Sequence, residues 1–534
     1  MVTESAPELP RAVADAAWPG IAARQRSLPL LLALAAWLSF TAWLRPLNLP
    51  EEGRYVGVAW EMMRSGDWLV PTLNGLPFFH KPPLFYWLTA LSMELFGPSA
   101  GAARLAPLVG ATAAAWALFL FIRRWVGGRP AAFTLLVLAT QPFFFGGAQF
   151  ANLDMLVASL IALTIVLAAH AALARQAGQP WRTALAAAWA CAGLAVLAKG
   201  LIGLVLPSLV LGAWLVACRQ PAAVLRLLSW PGLALFTAVT VPWFVFVQLR
   251  FPGFFHYFFV YQHVERFVAT GFNNVQPWWF FFVALPGLTL PWSLWLLGVR
   301  RVPVGEERTV AGVMLDRLMW VWVLAIVAFF SIPSSKPVGY MMPVLFPLAF
   351  IVYRAAAAAL KRRPALARPA LIASLVGAVG LCLGAAVFSR LTYTGDNTEL
   401  GRTLGRLKGP DDRVVFVDQY FYDVPLHAGL RRPVEVTGRW NDPGIARTDN
   451  WRRELAEAAP FAPGLAAGLL VDAPHALSSP CGGPVAWAVA RRGAERIHPQ
   501  LRAATLATEA HGTVLWRIAP DCSGNGAAET RMGR

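Results

Sequence analysis

The sequence predicts an all-α polytopic membrane domain of 11–13 transmembrane helices followed by a small α/β domain. Three observations predict it. Hydrophobic residues make up 57% of the 534-residue chain and charged residues only 14%, well below the roughly 25% of an ordinary soluble domain. Apolar runs near or above the ~18-residue length of a membrane span recur from Leu28 to Phe388. Beyond about Arg390 the pattern shifts to short alternating runs separated by turn signals.

The apolar runs place eleven spans, at 28–45, 102–122, 130–146, 155–174, 183–198, 201–218, 229–249, 278–299, 313–332, 338–355 and 369–389. A backbone solvated by lipid must satisfy its own hydrogen bonds, so these runs are helices. The first run is long and no small-residue cleavage site follows it, so it reads as a retained span and not as a signal peptide. Further short spans would have to come in pairs to keep the topology, which gives thirteen as the upper figure.

The formal charge is +17. Basic residues gather in alternate loops: Arg24 and Arg26; Arg123, Arg124 and Arg129; Arg175 and Arg182; Arg219 and Arg226; Arg300 and Arg301; Lys361, Arg362 and Arg363. That is the positive-inside pattern, which puts the N-terminus in the cytoplasm and the C-terminus outside. It accounts for the basic excess without nucleic acid. The span interiors hold almost no charge, which argues against a transporter with a midplane ion site.

Two outward segments are large, about 45–101 and 250–277, and both belong to a membrane domain (1–390); the composition change after about Arg390 marks off a soluble domain (391–534). In the soluble part, Val414 to Val417 and Val434 to Val436 read as strands, with turns at Gly395-Asp396, Gly409-Pro410 and Asp442-Pro443-Gly444. Cys481 and Cys522 are its only cysteines, a pair open to oxidation outside the cytoplasm.

Lysine carries the functional signal. The chain has five lysines among 46 basic residues, and Lys81, Lys199 and Lys336 sit at outward helix ends. A compact ammonium suits a phosphate, although the same position also suits a lysine that reaches the headgroups. Glu51, Glu52, Arg54 and Tyr55 follow the first span, and Asp154 opens another beside Asn152. These carboxylates are the candidates for orienting a substrate or accepting a proton. In the second outward segment His256, His263, Glu265 and Arg266 stand together. Arg266 suits a phosphate clamp, while His80, His263 and Glu265 are the candidate ligands of a divalent metal. No nucleotide-binding loop or zinc array is present, so the driving energy comes from an activated substrate delivered in the membrane.

The string Glu51-Glu52-Gly53-Arg54-Tyr55, with Gly66-Asp67-Trp68, Pro71, Asn74-Gly75 and Lys81-Pro82-Pro83-Leu84, resembles the first periplasmic loop of bacterial membrane glycosyltransferases. These belong to the protein mannosyltransferase-like superfamily with the GT-C fold, and the resemblance is nearest to the lipid A aminoarabinose transferases. Looser similarity covers Asn152 to Asp154, Lys199-Gly200 and Ser334 to Tyr340. Two positions depart from the family pattern: Glu51 stands where aspartate is usual, and His80 where glutamate is common.

The resemblance implies a multi-pass protein of the bacterial inner membrane that works on its periplasmic face. Its donor would be an undecaprenyl-phosphate-linked sugar and its acceptor a phosphate of lipid A, a modification tied to polymyxin resistance. The chain is expected to act as a monomer and without a required cofactor, with a bound divalent metal left open. The implied site takes Glu51, Glu52 and Asp154 as catalytic carboxylates. Arg54, Tyr55, Lys81, Lys199, Arg266, Lys336 and Tyr340 would be donor-binding groups. Two alternatives stay open: transfer of a neutral sugar to protein or glycan hydroxyls, and a lipid flippase or transporter gated by the outward loops.

Overall fold

The structure, a computed structural model, describes residues 27–265, 275–301 and 309–522. Seven of its helices are long and apolar enough to cross a membrane: Leu105–Trp125, Leu153–Gln176, Arg182–Lys199, Trp230–Arg250, Val310–Ser331, Val338–Arg362 and Pro364–Thr392. Two more runs form helix pairs, Gly128–Ala139 with Pro142–Ala148, bent by 70°, and Phe280–Leu288 with Trp292–Gly298, bent by 118°. Leu28–Ser39 and Ile202–Ala217 are shorter apolar helices. Every apolar run of the sequence is thus helical. The expectation of unbroken spans at 130–146 and 278–299 is corrected: Pro142 and Pro291 stand at the breaks, where proline removes a helical donor and disfavours helical backbone at the residue before it. By length and composition the described residues hold seven to nine spans.

The first large loop is ordered by two helices, Glu51–Ser65 and Leu84–Phe96, joined through a hairpin of β1 (Thr72–Leu73) and β2 (Leu76–Pro77). Its motif residues explain themselves here. Gly53 is packed so closely that an added Cβ would lie 2.3 Å from the Leu49 side chain and 2.9 Å from Tyr422. Asn74 takes a positive φ of 55° at the hairpin tip. Its side-chain amide donates to the Val434 carbonyl and accepts from the Val434 N–H, both at 2.8 Å. The motif therefore docks the loop onto the soluble domain.

The soluble domain holds six strands: β3 (Arg413–Phe416), β4 (Glu435–Thr437), β5 (Leu470–Val471), β6 (Ala486–Arg491), β7 (Thr505–Ala510) and β8 (Thr513–Ile518). They lie in the order β5-β4-β3-β6-β8-β7, with β3 parallel to both β4 and β6 and an antiparallel β6-β8-β7 edge. Cys481 and Cys522 are disulfide-bonded, with Cα atoms 4.5 Å apart.

One ion cluster fixes the loop on the membrane domain. Glu52 is fully buried. It accepts from Arg104 Nε and Nη2 (2.8 Å each), Arg45 Nη1 (2.6 Å), the Ala151 N–H (2.7 Å) and the Asn48 N–H (2.8 Å). Arg104, also fully buried, spends its remaining donors on the carbonyls of Ala42, Arg45 and Pro46. Burial pushes the Glu52 carboxyl up, but Arg104 and Arg45 outweigh it and hold it at about 2. A carboxyl depressed in this way stabilises the fold at all pH above its unfolded value, and the stabilisation fades as pH falls towards 2. Glu52→Ala should cost about 3–5 kcal/mol, because it leaves a buried guanidinium unpaired. Thermal unfolding in detergent measures it, and an unchanged melting temperature would contradict the anchoring role.

Candidate active site

Six elements converge where the membrane helices meet the soluble domain. From the Glu51–Ser65 helix, Arg54 pairs with Glu51 (2.5 Å) three residues back on its own helix and with Glu454 from the soluble domain. Glu454 is buried and also accepts from the Tyr422 hydroxyl at 2.6 Å. The Arg54 guanidinium lies 5.3 Å from the Tyr55 ring centre, and Tyr55 stacks on Tyr86 at 6.4 Å. Burial drives the Tyr55 phenol well above its usual range. Arg54 opposes the shift, and the charges of Glu51, Asp154 and Glu454 add to it.

Asp154 stands at the first turn of the Leu153–Gln176 helix, whose N-cap is Asn152: the Asn152 side chain accepts from the Asp154 N–H at 3.0 Å. Asp154 pairs with Lys199, the last residue of the Arg182–Lys199 helix. This assignment obeys the helix dipole at both ends, with an acid at an N-terminus and a base at a C-terminus. The Tyr340 ring covers the Lys199 ammonium at 5.0 Å and stacks on Phe330 at 4.4 Å. Gly339 packs against the carboxylate: a Cβ there would sit 2.4 Å from Asp154 Oδ2, so a larger residue would displace it. Asp154, Lys199, Tyr340, Glu51, Arg54 and Tyr55, all singled out from sequence, are therefore neighbours.

A second junction was not foreseen. Glu457, one turn beyond Glu454 on the Trp451–Ala458 helix, accepts from the hydroxyls of Tyr257 and Tyr261 at 2.7 Å each. It also accepts from Gln262 Nε2 (3.2 Å) and Arg453 Nε (2.6 Å), and faces His80 Nε2 at 3.2 Å. His80 Nε2, buried beside Lys81, thus meets a carboxylate of the soluble domain. Burial alone would raise the Glu457 carboxyl; His80, Arg453 and Tyr257 hold it below the usual range instead. The signal in the sequence was the Glu454/Glu457 pair at helical i,i+3 spacing after the capping Asn450.

The remaining expectations separate. Glu52 sits in the buried anchor and not among these groups. The Lys336 ammonium donates to the carbonyls of Gln276 (3.1 Å) and Pro333, tying its loop to the second outward segment. Lys81 is half-buried at the turn before the Leu84–Phe96 helix. Arg266 lies outside the described residues, as do the side chains of His263 and Glu265. Among the described residues, the grouping with metal-ligand spacing is instead Asp396, Asp423 and His427 in the soluble domain. There Asp423 accepts from Asn397, and Asp396 from Thr398.

The chain has the GT-C fold. It superposes on ArnT from Cupriavidus metallidurans bound to undecaprenyl phosphate with a TM-score of 0.76 at 24% identity, over 93% of this chain and 98% of that one. It also matches the apo oligosaccharyltransferase of Archaeoglobus fulgidus (TM-score 0.52, 13% identity, 87% of this chain and 69% of that one). Residues 80–246 match the family described as dolichyl-phosphate-mannose-protein mannosyltransferase. More particularly, the chain is similar to the undecaprenyl phosphate-α-4-amino-4-deoxy-L-arabinose arabinosyl transferases, as the loop motif implied. It is 33% identical to that of Aeromonas salmonicida over 63% of this chain and 60% of the relative. To that of Pseudomonas aeruginosa (strain LESB58) it is 31% identical over 62% and 59%. The chain thus spans about three fifths of the length of the curated relatives it matches.

Glu457→Ala should loosen the second outward segment. Hydrogen exchange of amides 256–262 should speed up at least about tenfold, a change of 1.4 kcal/mol or more in local opening, while amides of Val310–Ser331 stay unchanged. Because the carboxyl is depressed, the wild-type junction should survive acidification below the ordinary glutamate range and open only as pH falls through the lower folded value. Equal exchange in wild type and variant would remove Glu457 from this role.

Proposed function

We propose that this chain transfers 4-amino-4-deoxy-arabinose from an undecaprenyl-phosphate-linked donor to a phosphate of lipid A, on the periplasmic face of the bacterial inner membrane. The observation that carries the reading is the convergence of Asp154–Lys199 and Glu51–Arg54–Glu454 at the ends of membrane helices. That arrangement sets cations and carboxylates side by side at the ends of membrane helices, as recognition of a lipid phosphate would require. The reading is also supported by the relatives named for this transfer, 31% and 33% identical over 62% and 63% of this chain.

The acceptor phosphate oxygen forms a bond to the anomeric carbon, and the bond from that carbon to the donor phosphate oxygen breaks. The lipid phosphate leaves with the electron pair. It is a good leaving group, so the chain's task is to stabilise the growing negative charge, which preorganised cations do. Arg54 is suited to this. The Glu454 side chain, 3% exposed, holds the guanidinium in place, whereas the Glu51 side chain, 51% exposed, is free to yield its place to a phosphate. Lys81, Lys199 and Arg266 supply further positive charge. An acceptor phosphate is already ionised near neutral pH and needs no base, which leaves Glu51 and Asp154 to pair with the cationic amine of the sugar. No cofactor enters this chemistry. The basic loops face the cytoplasm, and the monomer suffices.

Mass spectrometry of lipid A from cells with and without the gene tests the reading. Added aminopentose should appear only with the gene, and unmodified lipid A in both would overturn it. Lys81→Ala should lower the modification at least about tenfold, since a lost charged hydrogen bond costs about 1.5–3 kcal/mol.

A further inference from the structure

Where the last membrane helix (Pro364–Thr392) passes the chain to the soluble domain, the linker carries Asp396 onto the short Val424–His427 helix. Asp423 precedes that helix and His427 ends it, so the two stand one turn apart on the same side. One donor atom from each of Asp396, Asp423 and His427 lies within 4.8 Å of the other two. Three such atoms around a zinc ion stand about 3.4 Å apart, the edge of a tetrahedron with ligand bonds of about 2.1 Å. Side-chain torsions suffice to close that difference.

The charge balance points to a cation. Among the described residues, the acids buried to below a tenth of their surface are Glu52, Asp423 and Glu454. Glu52 and Glu454 each hold a guanidinium, from Arg104 and Arg54. Asp423, 2% exposed, holds none and faces a second carboxylate instead. Among the described residues, neither Asp396 nor Asp423 forms an ion pair with a lysine, arginine or histidine. Arg402, whose charge reaches His427, is paired with Glu399 at 2.8 Å. Two carboxylates drawn together away from water repel each other until a proton or a cation compensates them. An imidazole beside both completes the donor set that a divalent transition ion takes.

The donors are also braced. The Asp423 side chain does not cap its own helix: Oδ2 accepts from the Asn397 N–H at 3.0 Å and Oδ1 from Asn397 Nδ2 at 2.9 Å. Asp396 accepts from the Thr398 N–H at 2.9 Å and from its hydroxyl, which also meets His427 Nε2 at 3.2 Å. Such outer hydrogen bonds orient the ligands of a metal.

We propose that Asp396, Asp423 and His427 form a structural site for a divalent transition ion of the zinc class, clamping the linker of the last membrane helix to the soluble domain. Mixed oxygen and imidazole donors favour zinc over calcium and magnesium, which take oxygen ligands. The ion fixes the linker on which Tyr393 accepts from the Leu49 N–H at 2.6 Å, and Leu49 packs on Gly53 of the Glu51–Ser65 helix. The site lies apart from the reacting groups and does not depend on which sugar is transferred.

The test uses the full chain in detergent, without a polyhistidine tag, stripped with chelator and given zinc chloride alone. After desalting, elemental analysis should count one zinc more in wild type than in His427→Gln, and zinc should raise the melting temperature of wild type only. Asp396→Asn, in the half-exposed linker, serves in the same way should the first variant fail to fold. Without any variant, zinc should slow carbethoxylation of His427 in wild type at least about tenfold once it saturates the site, as mass action requires. Equal zinc in wild type and a folded variant, no zinc in wild type, or unchanged His427 reactivity would overturn the proposal. Calcium that protects as well as zinc would overturn the choice of ion.

Discussion

The carboxylate of Glu52 is the constraint on which the rest of the structure depends. It lies one position from Glu51 and two from Arg54, so whatever fixes Glu52 fixes the phase of the helix that presents them. Arg104 and Arg45 fix it from the membrane side and Ala151 from the segment that leads into Asn152 and Asp154. One buried charge therefore sets three elements in register: the first loop, the Leu105–Trp125 helix and the start of the Leu153–Gln176 helix. Such a buried cluster does not add net stability over an apolar packing of the same volume. Its gain is geometric, since no apolar contact would specify the orientation of Glu51 and Arg54 so narrowly.

The soluble domain repeats the device from the opposite side. The Trp451–Ala458 helix sends Glu454 onto Arg54 and Glu457 onto Tyr257, Tyr261 and His80. Asn74 locks the hairpin to Val434. Glu61 accepts from the backbone at Asn74 and Gly75 and from the Thr72 hydroxyl, and burial raises its carboxyl to about 7. The first large loop and residues 257–262 of the second are thus held between membrane helices and the domain. The domain reads as part of the site's framework and not as an appendage.

The membrane domain was legible in the sequence because hydrocarbon leaves the backbone no choice but helix. All eleven apolar runs fold as helices, and only the proline breaks at Pro142 and Pro291 and the shortness of two helices escaped. The site was legible where a motif and a helix end coincided, as at Arg54, Asp154, Lys199 and Tyr340. Glu52 looked like half of an acidic pair, because nothing local shows that its partner lies 52 residues away at Arg104. Glu454 and Glu457 escaped for the same reason. Their partners belong to other elements, which no local pattern around 454–457 reveals. His80 was visible as a departure from the family pattern, and its partner Glu457 supplies a carboxylate where the family often has its own.

The central claim is that, in the proposed transfer, Asp154 acts through its charge as a pairing group and not as a general base. The direct measurement is the steady-state rate of sugar transfer from undecaprenyl-phosphate-linked aminoarabinose to lipid A by the purified chain, as wild type and as Asp154→Asn, across pH 5 to 9. The account predicts a loss of about 10²- to 10³-fold in the variant, the scale of removing one preorganised electrostatic group. It also predicts a wild-type profile without an acid limb that the substitution abolishes. A variant rate near that of wild type, or an acid limb that disappears with Asp154, would contradict it.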